Sequence, residues 1–269
     1  YAGAFAGYNA GIVKNVSVSS ATVAITMKGA VTPKFYNAYV GGFAGVNKGT
    51  LQGTNSASAT VSALTNNAYL NLYAGGFAGI NEGTITPGSS ATGSVSAVIT
   101  NSINFGDSYA AAFAAINKSG AAINKATVYG NYSNFKSENQ GGLVALNEGN
   151  ILNSKVSGSF TFSVDNTGGI AGVNKGYIET CEFNGSIKGL TNVGGIVGKN
   201  EKNAKVIWTS AYGSIIGETN VGGIVGNNHK DALADGWVNE SEIVVKATNK
   251  GVLGLGIGAG KWGYIIGNN

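Results

Sequence analysis

The sequence predicts an all-β protein built as a single parallel β-solenoid, and three observations carry that prediction. A seven-residue box recurs from end to end of the 269 residues. Short segments that alternate polar and apolar residues follow the copies, and no segment shows a sustained 3.6-residue apolar period with helix caps. The spacing between copies predicts one domain over residues 1–269 with about eight coils of 26–41 residues.

The box reads Gly-Gly-apolar-small-Gly-variable-Asn, and residues 168–174 are its clearest copy. Because side chains alternate along a strand, its third, fifth and seventh positions are expected to face inward and its sixth to face water. Coils of a β-helix stack at the ~4.8 Å strand spacing, so identical residues lie above one another. The terminal asparagines are therefore expected to form one buried ladder of amide hydrogen bonds. Its members are Asn47, Asn81, Asn117, Asn147, Asn174, Asn200 and Asn228.

The third box position predicts a continuous apolar seam along the solenoid. Its first occupants are Phe5, Phe43, Phe77 and Phe113, and leucine or isoleucine follows. The change accompanies a shortening of the repeats from 34–38 to 26–28 residues, so longer coils are expected to need larger fillers. After the box, an Asn-x-Gly turn such as residues 174–176 supplies left-handed backbone before the next strand.

Three tyrosines form a candidate binding strip. Tyr39, Tyr73 and Tyr109 precede successive boxes by one shared offset, so stacking is expected to align them on one face. One interpretation is packing within half-buried strands. The other is a sugar-binding or protein-binding surface, because tyrosine combines an apolar body with a polar tip.

Composition excludes several functional classes. All 17 basic residues are lysines and the net charge is only +4, which is a poor match to nucleic acid because arginine dominates base readout. No run of 18 apolar residues occurs, so no membrane-spanning segment is expected.

Candidate catalytic groups are few and scattered. His229 is the only histidine, so a His-based triad or a multi-histidine metal site cannot form. Cys181 is the only cysteine and is interpreted as buried filler. The glycine-rich residues 254–261 lack the strand–loop–helix context and the Ser or Thr of a phosphate loop. The carboxylate pairs that a glycan hydrolase could use are Glu179 with Glu182, Asp231 with Asp235, and Glu240 with Glu242. We interpret them as surface charges and expect no catalytic residue, metal or cofactor.

Residues 168–176, Gly-Gly-Ile-Ala-Gly-Val-Asn-Lys-Gly, and residues 75–83, Gly-Gly-Phe-Ala-Gly-Ile-Asn-Glu-Gly, closely resemble the GLUG motif. The match covers nearly the whole chain, with departures where Ala111, Ala112 and Ala115 replace glycine and where Tyr264 replaces the second glycine. The resemblance implies a bacterial cell-surface or secreted β-solenoid. Such repeats occur in adhesin-like proteins and beside the catalytic parts of extracellular peptidases that cleave immunoglobulin A. It carries no catalytic residue onto this chain.

We therefore expect a non-enzymatic extracellular structural or adhesive repeat segment of a bacterial surface protein. Its expected partner is a protein or glycan on a host or neighbouring cell. The alternatives are a self-assembling filament or surface-layer subunit, and the accessory region of an extracellular peptidase or polysaccharide-active enzyme.

The two ends of the chain carry uncharged boxes. Tyr1 opens directly on one box, and residues 262–269 close on another. Natural solenoids protect their end coils with polar caps, because open strand edges template further pairing. The expectation is a piece of a longer protein whose ends are covered by the parent chain or by end-to-end association with a second copy.

Overall fold

A computed structural model describes residues 1–27, 35–66, 69–99, 107–133, 139–247, 255–256 and 264–268. These residues form strands and turns without a helix, and the strands stack in parallel as a β-solenoid. The predicted fold class is confirmed. Within this part of the chain, no helix is long and apolar enough to cross a bilayer.

Three sheets run along the solenoid axis, and each coil contributes to all of them. Sheet 1 has eight strands that lead into the boxes. They are Ala2–Gly3, Tyr36–Gly41, Leu70–Gly75, Ser108–Ala111, Asn139–Gly141, Thr167–Gly168, Thr191–Gly194 and Thr219–Gly222. Sheet 2 has ten strands, eight of which end on a box asparagine. They are Ala6–Asn9, Ala44–Asn47, Ala78–Asn81, Ala114–Asn117, Val144–Asn147, Ala171–Asn174, Val197–Asn200, Val225–Asn228, Tyr264–Asn268 and Leu255–Gly256.

Sheet 3 has fourteen strands and closes each coil. Its short strands are Ile12–Lys14, Thr50–Gln52, Thr84–Ile85, Ala122–Asn124, Asn150–Leu152 and Tyr177–Glu179. Its long strands are Ser17–Met27, Ser56–Thr65, Ser90–Ile99, Thr127–Ser133, Lys155–Thr161, Glu182–Lys188, Lys205–Gly217 and Leu233–Ala247. The pairings within these three sheets are parallel except that between Leu255–Gly256 and Tyr264–Asn268.

The solenoid has about six turns, slightly fewer than the expected eight. Six of the eight strands in sheet 1 lie between two neighbours. The count taken from the sequence included the two outer coils, which have a neighbour on one side only within this sheet.

The box forms a corner between two strands. This corrects the expectation that its third, fifth and seventh positions share the inward face. In one copy, sheet 1 ends at Gly41, residues 42–43 form the bend, and sheet 2 starts at Ala44. Phe43 and Ala44 both belong to the main core. The third and fourth positions therefore face inward together, because the bend interrupts the alternation of side chains along the strand.

The first and fifth positions hold only glycine or alanine in the boxes because two backbones meet there. A Cβ on Gly168 would clash with the carbonyl oxygen of Ala171 and lie 2.7 Å from the amide nitrogen of Gly198. A Cβ on Gly198, the fifth position of the next copy, would lie 2.5 Å from the amide nitrogen of Thr167. The fifth position therefore faces sheet 1 rather than the interior.

The core contains the predicted apolar seam. Phe77 stacks between Phe43 and Phe113, with ring centroids 4.8 and 4.7 Å away and interplanar angles of 9° and 2°. Phe43 and Phe77 belong to coils whose long strands have ten residues. Phe113, Leu143 and Ile170 belong to coils whose long strands have seven. The length of the long strand therefore does not by itself explain the change from phenylalanine to aliphatic fillers, which corrects the expectation that longer coils need larger fillers.

The structure brings all seven predicted asparagines, together with Asn9, into one column. From Asn9 to Asn200, each Nδ2 donates to the Oδ1 of the asparagine in the next coil at 2.8–2.9 Å. Several also donate to the backbone two residues ahead, as Asn147 does to the carbonyl oxygen of Gly149 at 3.1 Å. The ladder amides thus bond to one another and to backbone carbonyls of their own turn or of the next coil.

The outer side of the first coil is uncovered. Phe5, which occupies the seam position, is 46% exposed, whereas Phe43 beneath it is fully buried. The expectation of an uncharged closing coil falls on residues 262–269, of which only the backbone strand Tyr264–Asn268 is described.

Candidate functional site

The corner between sheets 1 and 2 forms an outer surface that we call the tyrosine valley. Its first wall is a column of tyrosines that lie two residues before the box: Tyr1, Tyr39, Tyr73 and Tyr109. Its second wall is the sixth box position: Tyr8, Val46, Ile80, Ile116, Leu146 and Val173. The bend at the second and third box positions brings the two walls together, because it folds the strand of sheet 2 back beside that of sheet 1.

The first wall is a regular stack of rings. Tyr73 pairs in register with Tyr39 on one side and with Tyr109 on the other. The ring centroids are 4.9 and 5.7 Å apart, with interplanar angles of 19° and 5°. Tyr1 continues the stack at 5.2 Å from Tyr39, which the sequence analysis missed. The three predicted tyrosines therefore lie in one coil-to-coil column.

The second wall corrects the expectation that the sixth position faces water. Ile80, Ile116, Leu146 and Val173 form a separate apolar cluster against the tyrosines and are at most 7% exposed. The position does lie outside the core, but the tyrosine rings cover it. In later coils the position becomes polar and more exposed, as at Lys199 and Asn227.

Beyond Tyr109 the same column changes from tyrosine to asparagine. Tyr109 pairs in register with Asn139, and the column continues through Asn166, Asn192 and Asn220. Each of these three donates from Nδ2 to the Oδ1 of the preceding asparagine at 2.8–2.9 Å. The offset of two residues before the box would have revealed the column from the sequence. The surface is thus aromatic over the early coils and amide-lined over the later ones.

A row of alternating charges follows the box asparagines. Its members are Lys48, Glu82, Lys118, Glu148, Lys175 and Glu201. Lys48 contacts Glu82 at 3.0 Å and Lys118 contacts Glu148 at 3.3 Å. These pairs are exposed to solvent, so each contributes little to stability.

The hydroxyls of Tyr39 and Tyr73 are held in the protonated form. Burial raises the pKa of Tyr73 to about 12, and the neighbouring Tyr39 and Asp107 add to the effect. Burial, followed by Tyr1 and Glu82, also raises the pKa of Tyr39. A protonated phenol donates a hydrogen bond and is a weak nucleophile, so the valley is suited to binding.

The stacking decides which atoms a partner would meet. Because the rings cover one another's faces, a sugar ring cannot lie flat on Tyr39 or Tyr73. Ring edges and hydroxyls are left facing outward. This geometry favours a protein surface with hydrogen-bonding groups as the partner of the valley, since tyrosine is enriched in such interfaces.

We expect the protein to lose stability as the pH rises from about 10 to about 12. The folded state raises the pKa of Tyr73 from 10.0 to about 12, so it binds this proton more tightly than the unfolded chain. The contribution is complete below pH 10 and is lost as the pH rises through about 12. Thermal melts across this range should show a smaller fall for Tyr73→Phe than for the unmodified chain.

Two residues define the controls for that measurement. Burial also raises the pKa of Tyr132 to about 12. Part of the loss of stability at high pH should therefore remain in Tyr73→Phe. Tyr129 is 69% exposed, so Tyr129→Phe should behave like the unmodified chain. Equal falls in all three proteins would contradict the prediction.

The other candidate groups are not arranged for chemistry with one another. His229 lies on a turn, where its Nδ1 accepts a hydrogen bond from the amide of Asp231 at 3.1 Å. Cys181 is 1% exposed, and burial raises the pKa of its thiol to about 12, so the reactive thiolate is disfavoured. Glu182 contacts Lys155 at 3.2 Å on sheet 3.

Some predicted positions lie outside the described residues. They are the side chains of Asp235, Glu240 and Glu242 and most of residues 254–261. Across the described ranges, no group of three or more His, Cys, Asp or Glu is placed to hold a metal ion.

No protein-family model matches the chain, and no curated protein or solved structure shows significant similarity to it.

Proposed function

We propose that this chain is a non-enzymatic, extracellular structural and adhesive segment of a bacterial surface protein. The observation that carries the proposal is the tyrosine valley, a continuous partly exposed aromatic surface held on a stack of hydrogen-bonded coils. A stacked solenoid presents each residue of such a surface at a fixed spacing, which suits it to display.

Two further features support the proposal. The candidate nucleophile Cys181 is buried with a raised thiol pKa, and His229 lies on a turn beside Asp231. The resemblance of the repeated box to the GLUG motif favours a location outside the cell. The partner is a protein or glycan on a host or neighbouring cell.

Binding of the fluorescently labelled protein to host cells and to other bacteria tests the proposal. The double variant Tyr8→Ser/Tyr39→Ser should bind at least ten times more weakly, because it removes aromatic rings from both walls of the valley. Tyr129→Ser/Tyr212→Ser removes two rings from the outer face of sheet 3 and serves as the matched control. Equal binding by both double variants would refute a role for the valley, and absence of cell binding by the unmodified protein would refute adhesion.

A self-assembling filament or surface-layer subunit is the second candidate function. What supports it is the in-register parallel pairing of similar coils, because a coil of a second copy can stack by the same pairing. Open strand edges with apolar side chains accept further strands. Light scattering over a dilution series of the same sample separates the two functions. Only a self-assembling protein should show an average particle mass that rises with protein concentration.

A further inference from the structure

A depression on the side of the solenoid arises from the lengths of four successive turns. Two residues connect sheet 2 to sheet 3 after Asn147 and after Asn174, as Glu148-Gly149 and Lys175-Gly176. The coil before them and the coil after them use four, residues 118–121 and 201–204.

The longer turns form the ends of the depression. They are closed by hydrogen bonds from Ala121 N to Lys118 O and from Ala204 N to Glu201 O, both at 3.0 Å. Two short-turn coils therefore lie between two protruding ones. The resulting trough has a volume of about 440 Å³. Its ends are three coil steps apart, or roughly 14 Å.

The trough contains two lysines without an ion-pair partner. Lys175 and Lys205 both line it and are exposed. The acidic residues on either side of Lys175 in the charged row are already engaged. Glu148 contacts Lys118 at 3.3 Å, and Glu201 contacts Lys199 at 2.9 Å. Glu148 also lines the trough but is paired with Lys118, so the described lining carries two lysines that lack an ion pair and one carboxylate that has one.

A mixed polar and aromatic column lies beside these charges. Asn150, Tyr177 and Lys205 are paired in register on successive strands of sheet 3. Because the neighbours of Tyr177 are an amide and an ammonium group, its ring is not stacked on another ring among the described residues. Asn203 lines the far end of the trough.

We propose that this trough binds an acidic oligosaccharide through the carboxylate of a uronic or related sugar. Lys175 and Lys205 supply charge for the carboxylate, and Asn150 and Asn203 supply donors and acceptors for hydroxyls. Tyr177 is partly exposed and can contact the sugar ring through its ring edge and its hydroxyl. A peptide is disfavoured, since the glycine floor at Gly149 and Gly176 offers no apolar pocket for an anchoring side chain. The inference rests on the proposed adhesive function and names its ligand class.

Calorimetric titration with an oligogalacturonate and with its carboxyl-reduced neutral counterpart tests the inference. The unmodified protein should bind the acidic oligosaccharide at least ten times more tightly than the neutral one. Lys175→Ala/Lys205→Ala should weaken acidic binding at least tenfold without changing the melting temperature, because both side chains are exposed. Lys14→Ala/Lys188→Ala loses the same charge elsewhere and should bind as tightly as the unmodified protein.

Two results would overturn the inference. Equal losses in the two double variants would mean non-specific attraction to a basic protein, and equal affinity for the two oligosaccharides would remove the role of the carboxylate. If the oligosaccharide fails to bind while cells are still bound through the valley, this inference fails and the adhesive function stands. If the oligosaccharide binds but cells do not, the trough is a site and cell adhesion fails.

Discussion

Replacing Phe77 by alanine should destabilise the protein by about 3–5 kcal/mol, the range for deleting a fully buried phenylalanine. Phe77 is 0% exposed and stacks on Phe43 and Phe113 at 4.8 and 4.7 Å. The cavity would remain open, because hydrogen-bonded coils on both sides hold the backbone at the strand spacing. Urea unfolding followed by circular dichroism gives the change in the free energy of unfolding.

The same column supplies the control. Phe5 occupies the equivalent position in the first coil but is 46% exposed, and it stacks on Phe43 from one side at 4.9 Å. Phe5→Ala should therefore cost well under half as much as Phe77→Ala. Similar losses at the two positions would show that stacking within the coil interior does not stabilise the seam.

Replacing Asn147 by alanine should have the second largest effect. Its Oδ1 accepts from Asn117 at 2.9 Å, and its Nδ2 donates to Asn174 at 2.8 Å. The substitution removes both amide contacts and leaves each neighbour with a backbone partner only, Asn150 O for the Asn117 amide and Gly176 N for the Asn174 carbonyl. The total cost should be about 1–3 kcal/mol. The same unfolding measurement applies, and hydrogen exchange should show the largest loss of protection in the coils of Asn117 and Asn174.

An exposed pair of asparagines provides the comparison. Asn37 is exposed and accepts from Asn71 at 2.8 Å, so water can replace the lost contact in Asn37→Ala. The change in the free energy of unfolding should stay within about 0.5 kcal/mol. Equal decreases in the free energy of unfolding for Asn147→Ala and Asn37→Ala would mean that burial does not strengthen the contribution of the asparagine contacts in the box.

The fold could be predicted because its main signal is periodic. A box that recurs at 26–41 residues specifies stacking, and stacking places equivalent residues in columns such as that of Tyr39, Tyr73 and Tyr109. The orientation of residues within the box could not be predicted from alternation. The bend at residues 42–43 turns Phe43 and Ala44 inward together, and alternation describes only a continuous strand.

The surfaces were predicted less completely, for two reasons. The position two residues before each box continues the column as Asn139 and Asn166. A pattern defined by tyrosine alone does not include these residues, because the position is constant while the residue type changes. The trough depends on a difference in turn length between neighbouring coils, which becomes a concave surface only once the coils are stacked. In the sequence, this difference is visible only as two extra residues in each of the turns 118–121 and 201–204. It does not form a recognisable motif.

The alternating charges that follow the box asparagines constrain how such a chain can change in length during evolution. Loss of one interior coil would bring two lysines or two glutamates together at about the 4.8 Å strand spacing, where like charges repel. Loss or duplication of two adjacent coils would preserve the order from Lys48 to Glu201. A change in length that leaves the charged row intact therefore involves a pair of repeats, although the structural repeat is a single coil.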